Sequence, residues 1–157
     1  VENILSQNKT KYQIKNYSEK FNPNNFSKII ICGTSLKDNE FLKDLKKFDW
    51  IRNFEKPILG ICAGMQIISL IFGGKQKKKK EIGFYFENFK KDFLGIKGEQ
   101  EVYHLHNNYV SLPSGFEKFT NSEISQAIKH KEKNIYGVLF HPEVRNKELI
   151  LEFVNLN

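Results

Sequence analysis

The chain has only two cysteines, Cys32 and Cys62, and no CxxC pair, which excludes a disulfide framework and argues against structural zinc. That usage fits a reducing compartment, and a cytoplasmic location is expected. No apolar run reaches about 18 residues, so no transmembrane helix is expected. The opening "VENILSQNKT" lacks the basic start and apolar centre of a secretory signal. Glycosylation sequons at Asn8, Asn16 and Asn25 then read as accidents of an Asn-rich stretch. There is no internal repeat and no break in composition, so residues 1–157 are expected to form one domain.

What the chain does have is lysine. Lys and Arg number 25 against 18 acids, for a net charge of +7, but the excess is scattered and reads as a solvated surface. The dense run "KQKKKK" at 75–80 is expected to be an exposed loop. No nucleic-acid motif adjoins it, so neither a nucleic-acid nor a membrane partner is expected.

Hydrophobic residues make up 39% of the chain, and their spacing changes along it. "VENILSQ" has a helical pattern and "KYQIKNY" alternates like a strand; "FNPNNF" is a loop. "KIIICG" and "PILGI" are continuous apolar runs, the pattern of parallel strands buried on both faces. Between them "NEFLKDLKKFDWIRNF" has the spacing of an amphipathic helix, and "AGMQIISLIF" is an apolar helix closed by Gly73-Gly74. Alternating strands and helices imply an α/β fold: a mostly parallel, flavodoxin-like central sheet flanked by helices. The second half reads as shorter, often antiparallel strands ("IGFYFENF", "EQEVYHLHNNYVSL", "ISQAIKH", "NIYGVLF") before a closing helix, "NKELILEFVNL". Gly33 and Cys62 then emerge at one carboxyl edge of the sheet, where ligands bind in open α/β folds.

Cys62 sits in Gly60-Ile61-Cys62-Ala63-Gly64, the thiol form of a G-x-S-x-G nucleophile elbow. A sharp strand-to-helix turn needs small residues on either side and lifts the central side chain. The following helix aims its free N–H groups at the sulfur, and the Ala63 N–H is placed to donate to an oxyanion. A lone cysteine in an apolar run is equally consistent with plain packing. A thiol nucleophile needs a base with an orienting partner. His141 follows the apolar "IYGVLF", and Glu143 lies two residues on, although His-Pro-Glu also suits an ordinary turn. His104 and His106 share one face of a strand, but no third ligand lies near them in sequence, so no metal site is expected. His130 in "KHKEKN" reads as a solvated turn.

"GICAGMQ" followed by "YGVLFHPEV" resembles the class I (triad) glutamine amidotransferase domain, from about Lys28 to the end. "KHKEKNIYGVLFHPEV" is most similar to the separate glutaminase subunit of GMP synthase. The resemblance implies Cys62 as nucleophile, His141 as base and Glu143 as its partner. It implies that Gly33 and Ala63 supply oxyanion N–H groups, and that Gln66, Asn107 and Asn108 contact the substrate L-glutamine. No cofactor or metal is implied in this chain. Ammonia would pass to an ATP-dependent synthetase partner, which would hold ATP and magnesium and convert XMP to GMP.

The sequence departs from the family in places. Ser35 stands where a second glycine is expected in the loop at 33–37, and Asn107 stands where many relatives have glycine. The family's first strand has no counterpart, and a native strand is expected before Val1. Two rival readings remain: another Cys-His hydrolase of this fold, such as a γ-glutamyl peptidase, and a catalytically silent regulatory homologue.

Overall fold

The computed structural model describes residues 1–36 and 40–156. Its centre is a five-stranded sheet, ordered β1 (Ile29–Ile31), β2 (Ile58–Ile61), β7 (Ile135–Val138), β6 (Ala127–His130), β5 (Phe116–Lys118). β1, β2 and β7 run parallel, while β6 and β5 continue the sheet antiparallel. α2 (Ala63–Ile71) leaves directly from β2, and α1 (Glu2–Gln7) and α3 (Lys147–Asn155) are the other α-helices among the described residues. The expected α/β class and its flanked, largely parallel sheet are what the chain adopts.

Every residue of β2 and of β7 is buried, as continuous apolar runs in parallel strands require. Alternate β2 side chains serve two cores. Ile58 packs with α2 and the segment before β2, whereas Leu59 and Ile61 pack with α1, α3 and Phe140. Each such side chain contributes about 1.5–3 kcal/mol on burial. α2 is buried nearly all round, the mark of a helix enclosed by the core. It stops where Gly73 takes φ +90°.

Residues 76–110 form a second sheet. β3 (Gln76–Phe93, 18 residues) and β4 (Ile96–Val110, 15 residues) make one antiparallel hairpin, which contains the expected strands "IGFYFENF" and most of "EQEVYHLHNNYVSL" but starts earlier in both. Leu94 (φ 49°) and Gly95 (φ 81°) join them, the paired positive φ of a two-residue type I′ turn. Phe89, Phe93, Ile96 and Val102 fasten the hairpin to the core shared with α3.

Five local expectations are corrected. Residues 11–16 form no strand; the alternating Tyr12 and Ile14 stay exposed at 37% and 66%, since no neighbouring strand receives them. "NEFLKDLKKFDWIRNF" gives 3-10 turns at Glu40–Leu42 and Leu45–Asn53, with Asn39 outside the described residues. Leu45, Phe48, Ile51 and Phe54 recur every three residues, which is the 3-10 period. The lysine run is exposed, but residues 76–80 are the start of β3. β1 is only half-buried because it lies at the edge of the sheet. His130 ends β6, packed on Phe116 and Phe72, and its Nδ1 accepts from the Glu132 and Lys133 N–H groups. Among the described residues no helix is long and apolar enough to cross a membrane.

Candidate active site

Cys62 occupies the bend between β2 and α2 with φ 52° and ψ −106°, a left-handed conformation that costs a non-glycine residue about 1–3 kcal/mol. Backbone bonds to β7 and α2 hold it there. Its N–H donates to the Val138 carbonyl at 2.8 Å, and its carbonyl accepts the first α2 bond, from the Gln66 N–H at 3.1 Å. The small residues of the elbow are required by contact. A Cβ on Gly60 would lie 2.5 Å from the Gly64 backbone, and one on Gly64 would collide with the Ile31 carbonyl. The sheet therefore meets the helix too closely for any side chain at either position.

His141 begins just past β7, and its backbone N–H donates to the Tyr103 carbonyl of β4 at 2.8 Å. Its Nδ1 stands 2.7 Å from Glu143 Oε1, the orienting contact expected from the two-residue spacing. That places the Nδ1 proton toward the carboxylate and leaves Nε2 buried, with no aligned hydrogen-bond partner among the described residues. Burial pushes the ring's pKa down, but the Cys62 sulfur and the Glu143 carboxylate outweigh it and raise the value to about 10. For Glu143 burial pushes upward, and the His141 contact outweighs it, so the carboxyl lies below its ordinary range. The sulfur is thus near enough to act on the imidazole's charge without being aligned as a hydrogen-bond partner, a looseness usual until substrate tightens the site.

Gly33 is the third element at this point. A Cβ there would sit 3.2 Å from both Cys62 Cβ and His141 Cε1, so glycine allows the β1 end to lie over the pair. A narrow cleft opens beside the sulfur, lined by Cys62, Ala63, Gln66, Asn107 and Asn108 together with the loop residues Thr34 to Leu36. Every candidate from the sequence therefore lies at or beside one sheet edge. Lys37, at the end of the loop at 33–37, lies outside the described residues. Asn107 does not simply face the cleft, because its Nδ2 donates to the Leu36 carbonyl at 3.1 Å and ties β4 to that loop.

Two contacts were not foreseen. The Leu105 carbonyl stands 3.6 Å from Cys62 Sγ, placed to accept from the sulfur whenever it is protonated. The flanking His104 and His106 both reach Glu81 on β3, with His104 Nδ1 at 2.9 Å and His106 Nε2 at 3.1 Å from Oε2, and His106 also lines the cleft. The third acidic neighbour that local spacing lacked is thus supplied across the hairpin. Burial lowers the pKa of both rings, that of His104 to about 4. Cys32 is exposed and outside the cleft.

The fold and site have close parallels. The chain is 37% identical over 155 residues to the glutamine-hydrolyzing GMP synthase subunit of Methanosphaera stadtmanae, covering 93% of this chain and 77% of that one. It is 40% identical over 112 residues to the glutamine-hydrolyzing GMP synthase of Staphylococcus aureus, covering 67% of this chain but only 22% of that one. Among solved structures, a Thermoplasma acidophilum protein named for a GMP synthase subunit superposes with a TM-score of 0.75 at 28% identity, over 82% of this chain and 71% of that one. A Thermotoga maritima glutamine amidotransferase superposes with a TM-score of 0.73 at 19% identity, over 98% of this chain and 83% of that one, a likeness of fold. The class-I glutamine amidotransferase family matches residues 1–155, and with the cysteine elbow and the oriented histidine at one sheet edge, the chain belongs to that family.

Proposed function

We propose that the protein is a glutaminase that releases ammonia from L-glutamine through Cys62, His141 and Glu143 and delivers it to an ATP-dependent synthetase, which aminates XMP to GMP. The observation that carries this reading is the strained thiol beside an imidazole whose far nitrogen is held 2.7 Å from a carboxylate.

The sulfur of Cys62 attacks the side-chain carbonyl carbon of glutamine. The carbonyl oxygen becomes an oxyanion beside the free N–H of Ala63 at the start of α2 and that of Gly33, each such donor typically worth ~2.7–4 kcal/mol. The charged His141 gives its Nε2 proton to the amide nitrogen as the C–N bond breaks, and ammonia departs. A γ-glutamyl thioester remains on Cys62. His141, now neutral, takes a proton from water, which attacks the thioester carbon. The C–S bond breaks, glutamate leaves and the sulfur–imidazolium pair returns. Gln66, Asn107 and Asn108 line the cleft where the α-amino and α-carboxylate groups of glutamine would sit. Ammonia set free in water protonates and ceases to be a nucleophile, so the reaction calls for a docked acceptor enzyme.

Glutamine hydrolysis measured with and without a GMP-forming synthetase tests the reading. Glutamate formation that rises when the synthetase and XMP are added is expected. Turnover of γ-glutamyl peptides in preference to glutamine, or no turnover with any partner, would overturn it.

A further inference from the structure

The β3–β4 hairpin breaks register between Lys78 and Glu81. Such a bulge re-aims the side chains that follow it. Here it brings Glu81 opposite His106, and it turns the Lys79 carbonyl toward the same ring, 3.2 Å from His106 Nδ1. A carbonyl can only accept, so Nδ1 carries the proton and a singly protonated ring presents a bare lone pair at Nε2. That lone pair faces Glu81 Oε2 at 3.1 Å, and His106 Nε2 has no hydrogen-bond partner among the described residues. Two electron-rich atoms held this close, with His106 only 2% exposed, call for a positive centre between them.

We infer that Glu81, His104 and His106 form a binding site for a divalent transition ion of the zinc class, next to the cleft of Cys62, which His106 also lines. One ligand atom from each lies within 4.8 Å of the other two. His-x-His on one strand with a carboxylate from the facing strand supplies three nitrogen and oxygen ligands, the borderline-soft set that zinc takes. Ligands about 2.1 Å from a tetrahedral ion stand roughly 3.4 Å apart, and the two spacings to Glu81 Oε2, 2.9 Å and 3.1 Å, need only a small outward adjustment.

The outer contacts are already those of a metal site. With His104 Nδ1 and His106 Nε2 as ligands, the remaining nitrogens face Glu87 Oε1 at 3.6 Å and the Lys79 carbonyl at 3.2 Å. Carboxylates and carbonyls in those places fix the tautomers of metal-bound imidazoles. Gln126, 1% exposed, points its amide at Glu81 Oε2 from 3.1 Å, and its Oε1 has no partner among the described residues. Turning that amide over brings its oxygen to the ion as a fourth ligand. The ion would pin the bulge of β3 to the part of β4 that carries Leu105, Asn107 and Asn108.

The test uses the full chain with both thiols removed, Cys32→Ser with Cys62→Ala, so that neither sulfur can hold metal. After exposure to zinc and exhaustive dialysis, about one zinc per chain is expected by elemental analysis. Glu81→Gln in that background should lose the zinc, and Glu87→Gln should weaken it by about 10–100-fold. Cobalt loaded into the thiol-free chain should give the visible d–d bands of a four-coordinate nitrogen–oxygen site, a readout that holds even if a variant fails to fold. A thiol-free chain that retains no zinc, zinc kept undiminished in folded Glu81→Gln, or the pale spectrum of six-coordinate aqueous cobalt would overturn the site. The first of these would leave a protonated His106 as the positive centre.

Discussion

The Cys62→Ala chain is expected to lose glutamine hydrolysis by roughly 10⁶-fold, while a synthetase bound to it still uses added ammonium salt at its normal rate. The magnitude follows from the chemistry. Without the sulfur no thioester forms, and His141 with the oxyanion donors would have to direct water against an unactivated amide. Removing Sγ also removes a contact with the Leu105 carbonyl but leaves the backbone bonds of the elbow to Val138 and Gln66 in place. Folding should survive, because alanine at a buried position of this kind loses one sulfur atom and no buried charge partner is stranded outside the site. The ammonia-dependent reaction is therefore the internal control. Loss of both activities would mean that Cys62 serves the fold or the partner contact and not the chemistry. Retention of glutaminase activity would remove the nucleophile from the account.

The second large effect is on pH. Glu143 has a lowered pKa in the folded chain, so its share of stability is present above its unfolded value and is lost as pH falls through the folded one. His141 is raised to about 10, so its share is fully present below an unfolded value of about 6.5 and is lost as pH rises through about 10. The charged pair therefore persists from below the ordinary carboxylate range up to about pH 10, and its proton is available to the leaving ammonia throughout. Glu143→Gln keeps the shape but removes the charge. Burial, which already pulls the imidazole down, then meets less opposition, and the alkaline limb of kcat should move to lower pH. The rate at neutral pH should fall by roughly 10⁴-fold, the scale for loss of an orienting carboxylate in a triad. A profile that only scales down, with no change in its alkaline limb, would show that Glu143 does not set the charge of His141.

The site was more legible in the sequence than the fold around it. Cys62 and its two glycines are neighbours along the chain, and a strand-to-helix turn leaves a local signature because Gly60 and Gly64 must clear the Ile31 carbonyl and each other. His141 and Glu143 are two residues apart, so their contact could be read from spacing. Gly33 needed only the parallel pairing of two apolar runs. Glu81 could not be found in this way. It reaches His104 and His106 through the register of a hairpin 18 and 15 residues long, and a bulge shifts that register just before it. The strand expected at 11–17 failed for a related reason: alternation marks a face, but only a partner strand makes it a sheet. Lysines 77–80 misled because an exposed strand and an exposed loop share a composition, and what separates them is Tyr109 and Asn108 on the other strand.

The most direct measurement is covalent labelling by a glutamine-shaped diazoketone, mapped by peptide mass spectrometry. The two thiols make a sharp contrast, since Cys32 is exposed and Cys62 is buried in the cleft. A reagent guided by glutamine recognition should mark Cys62, be blocked by excess L-glutamine, and leave Cys32 free. Modification of Cys32 alone, unaffected by glutamine, would contradict the assignment of Cys62 as the nucleophile.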